Sequence, residues 1–244
     1  MKCSYDLHIH SALSPCAERD MTPQNIVAMA KLKGLGAIAV TDHQSCANCA
    51  ALIGASRDLA GPVVIPGLEI ESAEEIHLLC LLPGLTEALQ MQRIVQAALP
   101  PRLNRPDIFG GQQLLDRHDR LVGEETRLLL QACTLDCQTL AGHALGLGGV
   151  LIPAHVDRDA YSMLQTLGAI PGDFPTAWLE FSSPGAARDC LRHHPELAGY
   201  QMLYNSDAHR LGAISEPGFS LDLPDGAVGE QALRHAVLQA LRPC

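Results

Sequence analysis

Short apolar runs alternate with longer amphipathic stretches along most of the chain. Seven of these runs are rich in Ile, Val, Leu and Ala and are predicted strands: residues 5–10, 37–41, 63–69, 76–82, 149–155, 177–181 and 202–206. Because the runs are almost continuously apolar, they are typical of strands buried on both faces, which indicates a parallel sheet covered by helices.

Six amphipathic stretches predict the helices. The first begins near Thr22, an expected cap, has Pro23 in its first turn and ends at Gly34. The others are residues 47–59, 85–98, 124–132, 137–147 and 229–241. The alternation of strands and helices indicates the α/β class, and seven strands favour a barrel over an open sheet.

Residues 100–123 interrupt this alternation with prolines, paired glycines and polar side chains. Two interpretations stay open: a surface loop or linker, or an insertion that lies over an active site, as long loops in compact domains often do. Because strand-like runs resume after it, we expect a single domain over residues 1–244 with an irregular insertion at about 100–123.

Composition narrows the classes of function. An apolar fraction of 47% excludes a disordered chain. The 27 acidic and 17 basic residues give a net charge of −10, which argues against broad binding of duplex DNA through a basic face. No apolar stretch is long enough for a membrane span, and no secretory signal is evident. Nine irregularly spaced cysteines indicate a cytoplasmic protein with reduced thiols.

Candidate metal ligands stand at the ends of the predicted strands. They are His8, His10, His43, Glu69, His155, Asp207 and His209. In a β/α barrel the carboxyl ends of the strands meet at one rim, so these side chains are expected to converge there. His77 is the exception, since it comes early in the fourth run and needs a short or offset strand to join them. Imidazole nitrogen and carboxylate oxygen suit Zn, Mn and Fe, and so many ligands imply two or three divalent ions.

The ordered motifs resemble those of the PHP (polymerase and histidinol phosphatase) superfamily. They are DLHIHS at 6–11, TDH at 41–43, GLE at 67–69, EIHLL at 75–79, PAH at 153–155 and SDAH at 206–209. The resemblance implies a distorted seven-stranded (β/α)7 barrel, an active site at the C-terminal rim of its strands, a centre of two or three metal ions and phosphoesterase activity.

The resemblance also implies which residues share an ion. The implied ligands of the first ion are His8, His10, Glu69 and Asp207. Those of the second are Glu69, which bridges the two ions, His77 and His155. Those of the third are His43, His209 and a residue near position 16.

The cysteines near these motifs each allow two interpretations. Cys16 stands where relatives with three ions carry a histidine, and a thiolate is a good zinc ligand. Alternatively, Cys16 is a bystander and the third site is weak or empty, with Glu18 and Asp20 as oxygen ligands in reserve. Cys46 and Cys49 are expected to be reduced, non-catalytic thiols, with a peripheral metal site or a redox switch as the alternative.

Four further polar residues are candidates for supporting roles. Asp42 is expected to orient a histidine or a water molecule rather than bind metal directly. Arg158 and Arg210 follow predicted ligands closely and are expected to grip phosphate oxygens, although each could be a solvated surface arginine. Glu180 ends the sixth run and points at the same rim, where it could contact a ligand or the substrate.

Together these features predict a metal-dependent phosphoesterase that hydrolyses a small phosphorylated metabolite or nucleotide by attack of a metal-bound hydroxide. One alternative is a phosphodiesterase or exonuclease that binds nucleic acid only by its end. The other is a non-catalytic, metal-binding accessory module. We expect no membrane partner, and the sequence selects neither the substrate, nor the physiological metal, nor the oligomeric state.

Overall fold

The computed structural model describes residues 1–242 of the chain. Its strands are β1 (Lys2–Ile9), β2 (Ala37–Val40), β3 (Val63–Glu71), β4 (His77–Leu81), β5 (Gln113–Leu115), β6 (Leu121–Glu124), β7 (Val150–Pro153), β8 (Trp178–Phe181), β9 (Gln201–Tyr204) and β10 (Ser220–Asp222). Its helices are α1 (Pro23–Leu32), α2 (Cys49–Leu59), α3 (Leu85–Ala97), α4 (Pro106–Phe109), α5 (Cys137–Gly146), α6 (Met163–Leu167), α7 (Pro184–His193) and α8 (Glu230–Leu241). Each of the seven predicted strands is present, and the predicted α/β class is confirmed.

The strands form a curled sheet with the shape of half a barrel. Six strands pair in the order β10-β1-β2-β3-β4-β7, while β8 and β9 form a separate parallel pair and β5 and β6 an antiparallel hairpin. Within residues 1–242, a complete seven-stranded (β/α)7 barrel is therefore not confirmed. The β8–β9 pair still lies beside the sheet, because Ile9 forms an isolated bridge with Ala208 and the Val156 amide donates to the Glu180 carbonyl at 2.9 Å.

The prediction of a wholly parallel sheet is wrong at β4. Strands β1, β2 and β3 are parallel neighbours, but β4 is antiparallel to both β3 and β7. The connection from β3 to β4 covers only residues 72–76, which is too short for the crossover that parallel neighbours require. Consequently His77, the first residue of β4, lies at the rim where β1 and β2 end, and its early position in the run is explained.

Both faces of the sheet are buried, as the apolar runs predict. On β2, Ala37 and Ala39 join an inner cluster shared with β1, β3, β4, β7, β9 and α8, whereas Ile38 and Val40 pack against α1 and α2. A third cluster joins β3 and β4 to α3 and α5. The inner cluster therefore supports the rim from below. Among residues 1–242, no helix combines the length and the apolar character needed to cross a bilayer.

Cys46 and Cys49 lie in the cluster behind the rim, and both side chains are buried. The Cys49 thiol donates to the carbonyl oxygens of Val40 and Gly67 at 3.5 and 3.6 Å. A hydrogen bond to Cys49, together with burial, raises the pKa of the Cys46 thiol. Both thiols thus sit as packed core groups, and their expected lack of a catalytic role stays a prediction.

Residues 100–123 contain α4 and most of the β5–β6 hairpin, which packs beside the rim. The Gln113 amide donates to the Ala12 carbonyl at 2.9 Å. The buried Asn48 side chain bonds the β5 backbone at the Gln113 carbonyl and at the Leu115 amide, each at 3.0 Å. The segment is therefore fixed to the loop that follows β1, and both interpretations of it, a surface loop and an insertion over an active site, stay open.

The helix predicted at residues 124–132 is wrong. Strand β6 ends at Glu124 and an irregular segment follows it. The buried Gln112 side chain supplies the hydrogen bonds of that segment: its amide donates to the carbonyls of Glu125 and Arg127 at 2.7 and 2.6 Å, and its oxygen accepts from the Leu129 amide at 3.0 Å. A distant side chain thus replaces the helical pairing that the local pattern favoured.

The start of α1 also differs from the prediction, whereas its end agrees. Thr22 precedes the helix, but its side chain forms no cap. Its hydroxyl donates instead to Asp119 at 2.7 Å, and Asp119 accepts from the Gln24 amide at 2.9 Å. The cap of α1 thus comes from the β5–β6 hairpin, 95 positions away from Gln24. Gly34 follows the helix with a φ of 74°, which glycine adopts readily.

We predict that Asp119→Ala lowers the free energy of unfolding by about 1 kcal/mol, because α1 loses the acceptor for its first turn. Urea denaturation followed by circular dichroism measures this change. Asp107→Ala is the control, since Asp107 is exposed and forms a surface ion pair with Arg105, and its effect should stay within roughly 0.5 kcal/mol. Equal effects of the two substitutions would contradict the cap.

Candidate active site

The rim brings together all eight predicted histidine and carboxylate ligands. They are His8, His10, His43, Glu69, His77, His155, Asp207 and His209. The end of β1 supplies the first two on one face, because alternate residues of a strand point the same way. Strands β3 and β4 carry one ligand each, and the loops after β2, β7 and β9 supply the others.

Glu69 lies at the centre of this cluster and is only 1% exposed. Its two carboxylate oxygens are ringed by imidazole nitrogens. These are His77 Nδ1 at 2.9 Å, His43 Nδ1 at 3.0 Å, His8 Nε2 at 3.3 Å, and His10 Nε2 and His155 Nε2 at 3.4 Å. Asp207 forms a second focus, with its Oδ1 at 3.0 Å from His10 Nε2 and at 3.3 Å from His8 Nε2.

Several of these buried acceptors lack donors. Within residues 1–242, neither oxygen of Glu69 has a hydrogen-bond partner, and Oδ1 of Asp207 has none either. The Nε2 atoms of His8 and His10 also face each other at 3.2 Å. Acceptors that converge in the interior without donors cost free energy unless a cation lies between them.

Three groups of side chains place their ligand atoms within 4.8 Å of one another. They are His8 with His10 and Asp207, His43 with Glu69 and His77, and His10 with His43 and His209. Imidazole nitrogen and carboxylate oxygen are the donors of Zn, Mn and Fe sites. Both the spacing and the chemistry of the residues present therefore fit divalent metal ions.

The electrostatics of the cluster favour an ionised centre. Burial alone would raise the pKa of Glu69, but the positive charge available on His77, His8 and His43 pulls it well below its usual range. At His8, burial opposes protonation, yet the carboxylates of Glu180, Asp207 and Glu69 raise its pKa well above normal. Without a nearby cation, these carboxylates depend on imidazolium for compensation.

Cys16 lies on the exposed side of the cluster, near enough to His209 and His43 for both side chains to act on its thiol. Partial burial opposes ionisation, but these two histidines outweigh it and lower the pKa of Cys16 to about 7. The structure therefore places the thiol beside the group formed by His10, His43 and His209. The reserve candidates Glu18 and Asp20 are exposed side chains.

Asp42 is buried behind the ligands. It accepts hydrogen bonds from the amide and hydroxyl of Ser11 at 2.7 and 2.6 Å and from the hydroxyl of Ser14 at 2.7 Å. The Ser14 oxygen also lies 2.9 Å from His10 Nδ1. The contact of Asp42 with the ligand cluster thus runs through Ser14 to His10. The sequence predicted an orienting role for Asp42 but did not indicate that the two serines are its hydrogen-bond partners.

Glu180 is the carboxylate whose role the sequence did not define. Its oxygens lie 3.0 and 3.1 Å from His8 Nδ1, and it also accepts from the Asn205 side chain at 2.7 Å and from the His155 amide at 2.9 Å. With Nδ1 donating to Glu180, the lone pair of His8 Nε2 points into the cluster. The position of Glu180 at the end of a predicted strand was the signal for its role in the sequence. Its hydrogen-bond partners come from three other parts of the chain.

Two of the ligand positions have unfavourable backbone conformations. His155 has a φ of 29° and Asp207 a φ of 48°, in the left-handed region that residues other than glycine rarely adopt. Such strain persists where surrounding contacts fix it, and it is concentrated at functional sites. Both residues follow strands that end at the rim, so the strained turns are what aim these two side chains at the cluster.

A cavity of about 360 Å³ opens beside the ligands. Its wall includes Arg158, Asp159 and Tyr161, which belong to the loop after β7. Arg158 Nη1 lies 2.6 Å from Asp207 Oδ2, so its guanidinium faces the cluster. Arg210 is exposed and forms no hydrogen bond or ion pair with the side chains of the described residues. The structure thus brings one of the two predicted arginines to the cavity.

The chain is similar in fold to several solved structures. It matches the lesion-specific endonuclease Q of Pyrococcus furiosus with a TM-score of 0.63 and 21% identity, over 98% of this chain and 56% of that chain. It also matches a protein of Bifidobacterium adolescentis, provisionally named a metal-dependent phosphoesterase, with a TM-score of 0.56 and 18% identity, over 96% of this chain and 95% of that one.

Sequence comparison gives one archaeal relative and one matching family profile. An uncharacterized protein of Methanocaldococcus jannaschii is 30% identical over 119 residues, which are 48% of this chain and 15% of that protein. The chain therefore spans 56% of the endonuclease chain and 15% of the archaeal relative. The profile of the PHP domain matches residues 6–135, which carry five of the eight clustered candidate ligands, and the chain belongs to the PHP domain family.

Proposed function

We propose that this chain is a metal-dependent phosphoesterase whose substrate is a small phosphorylated monoester. The observation that carries the proposal is the buried cluster around Glu69, in which acceptor atoms converge without donors. Divalent ions satisfy such a cluster, and family membership makes phosphate ester hydrolysis the chemistry to expect of it.

The ligands divide among three ions in our proposal. His8, His10, Glu69 and Asp207 would hold the first ion. Glu69, His77 and His155 would hold the second. His43, His209 and Cys16 would hold the third, with His10 nearby. When bound, the ions would act as Lewis acids that polarise a phosphate and lower the pKa of water.

Protein groups around the ligands fix which ring nitrogen faces inward. Glu180 would accept a hydrogen bond from His8 Nδ1–H, and the Ser14 oxygen would accept one from His10 Nδ1–H. Both histidines then present Nε2 to the cluster in a fixed tautomer. Arg158, which faces Asp207 from the cavity, is placed to bind an oxygen of the substrate phosphate.

Hydrolysis of a nucleic-acid strand at an abasic or damaged site is a second candidate. The likeness in fold to endonuclease Q, which has also been solved with a 27-mer duplex carrying an abasic lesion, favours it. Against it, the cavity wall offers one arginine beside the carboxylate of Asp159, which gives little attraction for a chain of phosphates. We therefore favour a phosphate monoester as the substrate. Cleavage of a nucleic-acid strand is tested as an alternative outcome of the assay below.

Wild-type protein loaded with Mn or Zn is expected to hydrolyse p-nitrophenyl phosphate. His8→Ala should lower kcat/KM by roughly 100-fold or more, because it removes a proposed ligand of the first ion. His143→Ala is the matched control, since His143 is an exposed histidine on α5. Cleavage of an abasic duplex without turnover of any monoester would favour the second candidate, and metal binding without any turnover would indicate an accessory module.

Cys16→Ala is expected to lower the bound metal from about three to about two ions per chain, because the third ion loses its thiolate. Elemental analysis of dialysed protein measures the content, and the Co-substituted protein should lose its thiolate charge-transfer absorption. Cys190→Ala, a half-buried thiol on α7, is the control. A content near two ions that is the same in wild type and Cys16→Ala would contradict the thiolate ligand.

Glu180→Gln is expected to weaken metal binding about 10- to 100-fold, because an amide no longer holds His8 in one tautomer. Activity titrated against added metal measures the shift in the half-activating concentration. Glu196→Gln changes an exposed carboxylate in the same half of the chain and should leave the titration unchanged. A purely structural Glu180 would lower stability and leave the titration where it was.

A further inference from the structure

The loop between β7 and α6 carries five residues of the cavity wall, among them Arg158, Asp159 and Tyr161, and hydrogen bonds hold its turn. The Arg158 amide donates to the His155 carbonyl at 3.0 Å, and the Ser162 hydroxyl donates to the Val156 carbonyl at 2.7 Å. The Tyr161 carbonyl accepts from the His77 amide at 2.9 Å, which ties the end of the loop to β4. Tyr161 is therefore held at a fixed distance from the metal ligands.

Tyr161 has a backbone conformation that packing does not explain. Its φ is 57°, in the left-handed region where a bulky residue is rare. The side chain gains little burial in return, since it is 48% exposed. An exposed aromatic ring held in a strained turn at a cavity is therefore better explained by contact with a ligand than by the core.

Tyr161 lines the cavity beside His77, and its side chain stays accessible there. One face of its ring stacks on the His77 ring, with centroids 4.6 Å apart and planes 21° apart. Arg158, which faces Asp207, and the ligand cluster line the same cavity. A phosphate held between the ions and Arg158 would thus place its ester substituent near the tyrosine.

We infer that Tyr161 determines specificity by stacking on a planar ring in the leaving group of the substrate. This inference rests on the proposed phosphomonoesterase function and narrows it to esters that carry an aromatic or heteroaromatic ring near the phosphate. Asp159, in the same wall, disfavours a second phosphate beside that ring. A ring without negative charge is the substituent that fits both neighbours.

Two substrates of similar leaving-group chemistry test the inference: benzyl phosphate, which has a planar ring, and n-butyl phosphate, which has none. The measured quantity is the ratio of their kcat/KM values with the Mn-loaded enzyme. Stacking on an aromatic side chain is typically worth about 5- to 100-fold. Tyr161→Ala should therefore lower the ratio by about 10-fold, while Tyr161→Phe should preserve it because the ring face remains.

Tyr161→Gly provides a second test that does not depend on backbone strain, since glycine tolerates the observed φ. It should lower the ratio as Tyr161→Ala does. Leu167→Ala removes an exposed apolar side chain from α6, outside the cavity wall, and should leave the ratio unchanged.

The outcomes separate the two proposals. Suppose that wild type hydrolyses both esters and that Tyr161→Ala and Tyr161→Gly lower kcat/KM for the two esters by the same factor. The stacking role is then wrong, while the proposed phosphoesterase function is unaffected. The same conclusion follows if Tyr161→Phe lowers the ratio as Tyr161→Ala does, because the hydroxyl and not the ring face would then determine the preference. If wild type hydrolyses neither ester nor any other monoester, the proposed function itself is wrong.

Discussion

The buried charge of Glu69 is the constraint on which the rest of the site depends. A carboxylate that is almost inaccessible to water, and that lacks hydrogen-bond donors, must be compensated by positive charge. The chain surrounds it with five imidazoles from four separate segments, each imidazole able to carry a proton or to bind a cation. The curled sheet, the reversed β4 and the strained turn at His155 bring those imidazoles to one carboxylate.

A second layer of hydrogen bonds gives this cluster its precision. Glu180 fixes His8, and Asp42 fixes His10 through Ser14. Each of these carboxylates is buried and satisfied by donors from the protein, in contrast to Glu69. The contrast separates groups that shape the site from the group that faces its centre, and it does so from hydrogen bonding alone.

The sequence was sufficient for the residues whose signal is local. The histidines and carboxylates at strand ends could be found because apolar runs stop at a polar side chain, and their order along the chain gave the family. The place of His77 at the rim could be predicted only by recognising that β4 is antiparallel to β3, which follows from the short connection between them. The cap of α1 by Asp119 and the irregular path after Glu124 were not accessible, because their hydrogen-bond partners are distant in sequence.

Asn48 has a consequence for how this fold can vary. Its side chain bonds β5 and also donates to the Ser11 hydroxyl at 2.9 Å, which in turn donates to Asp42. The hairpin is thereby one wall of the scaffold behind His10 rather than an appendage on the surface. A shortened version of this chain that lacked residues 100–131 would expose that asparagine and leave the loop after β1 without its neighbour. Deletions in this segment would therefore disturb the positions of the candidate ligands.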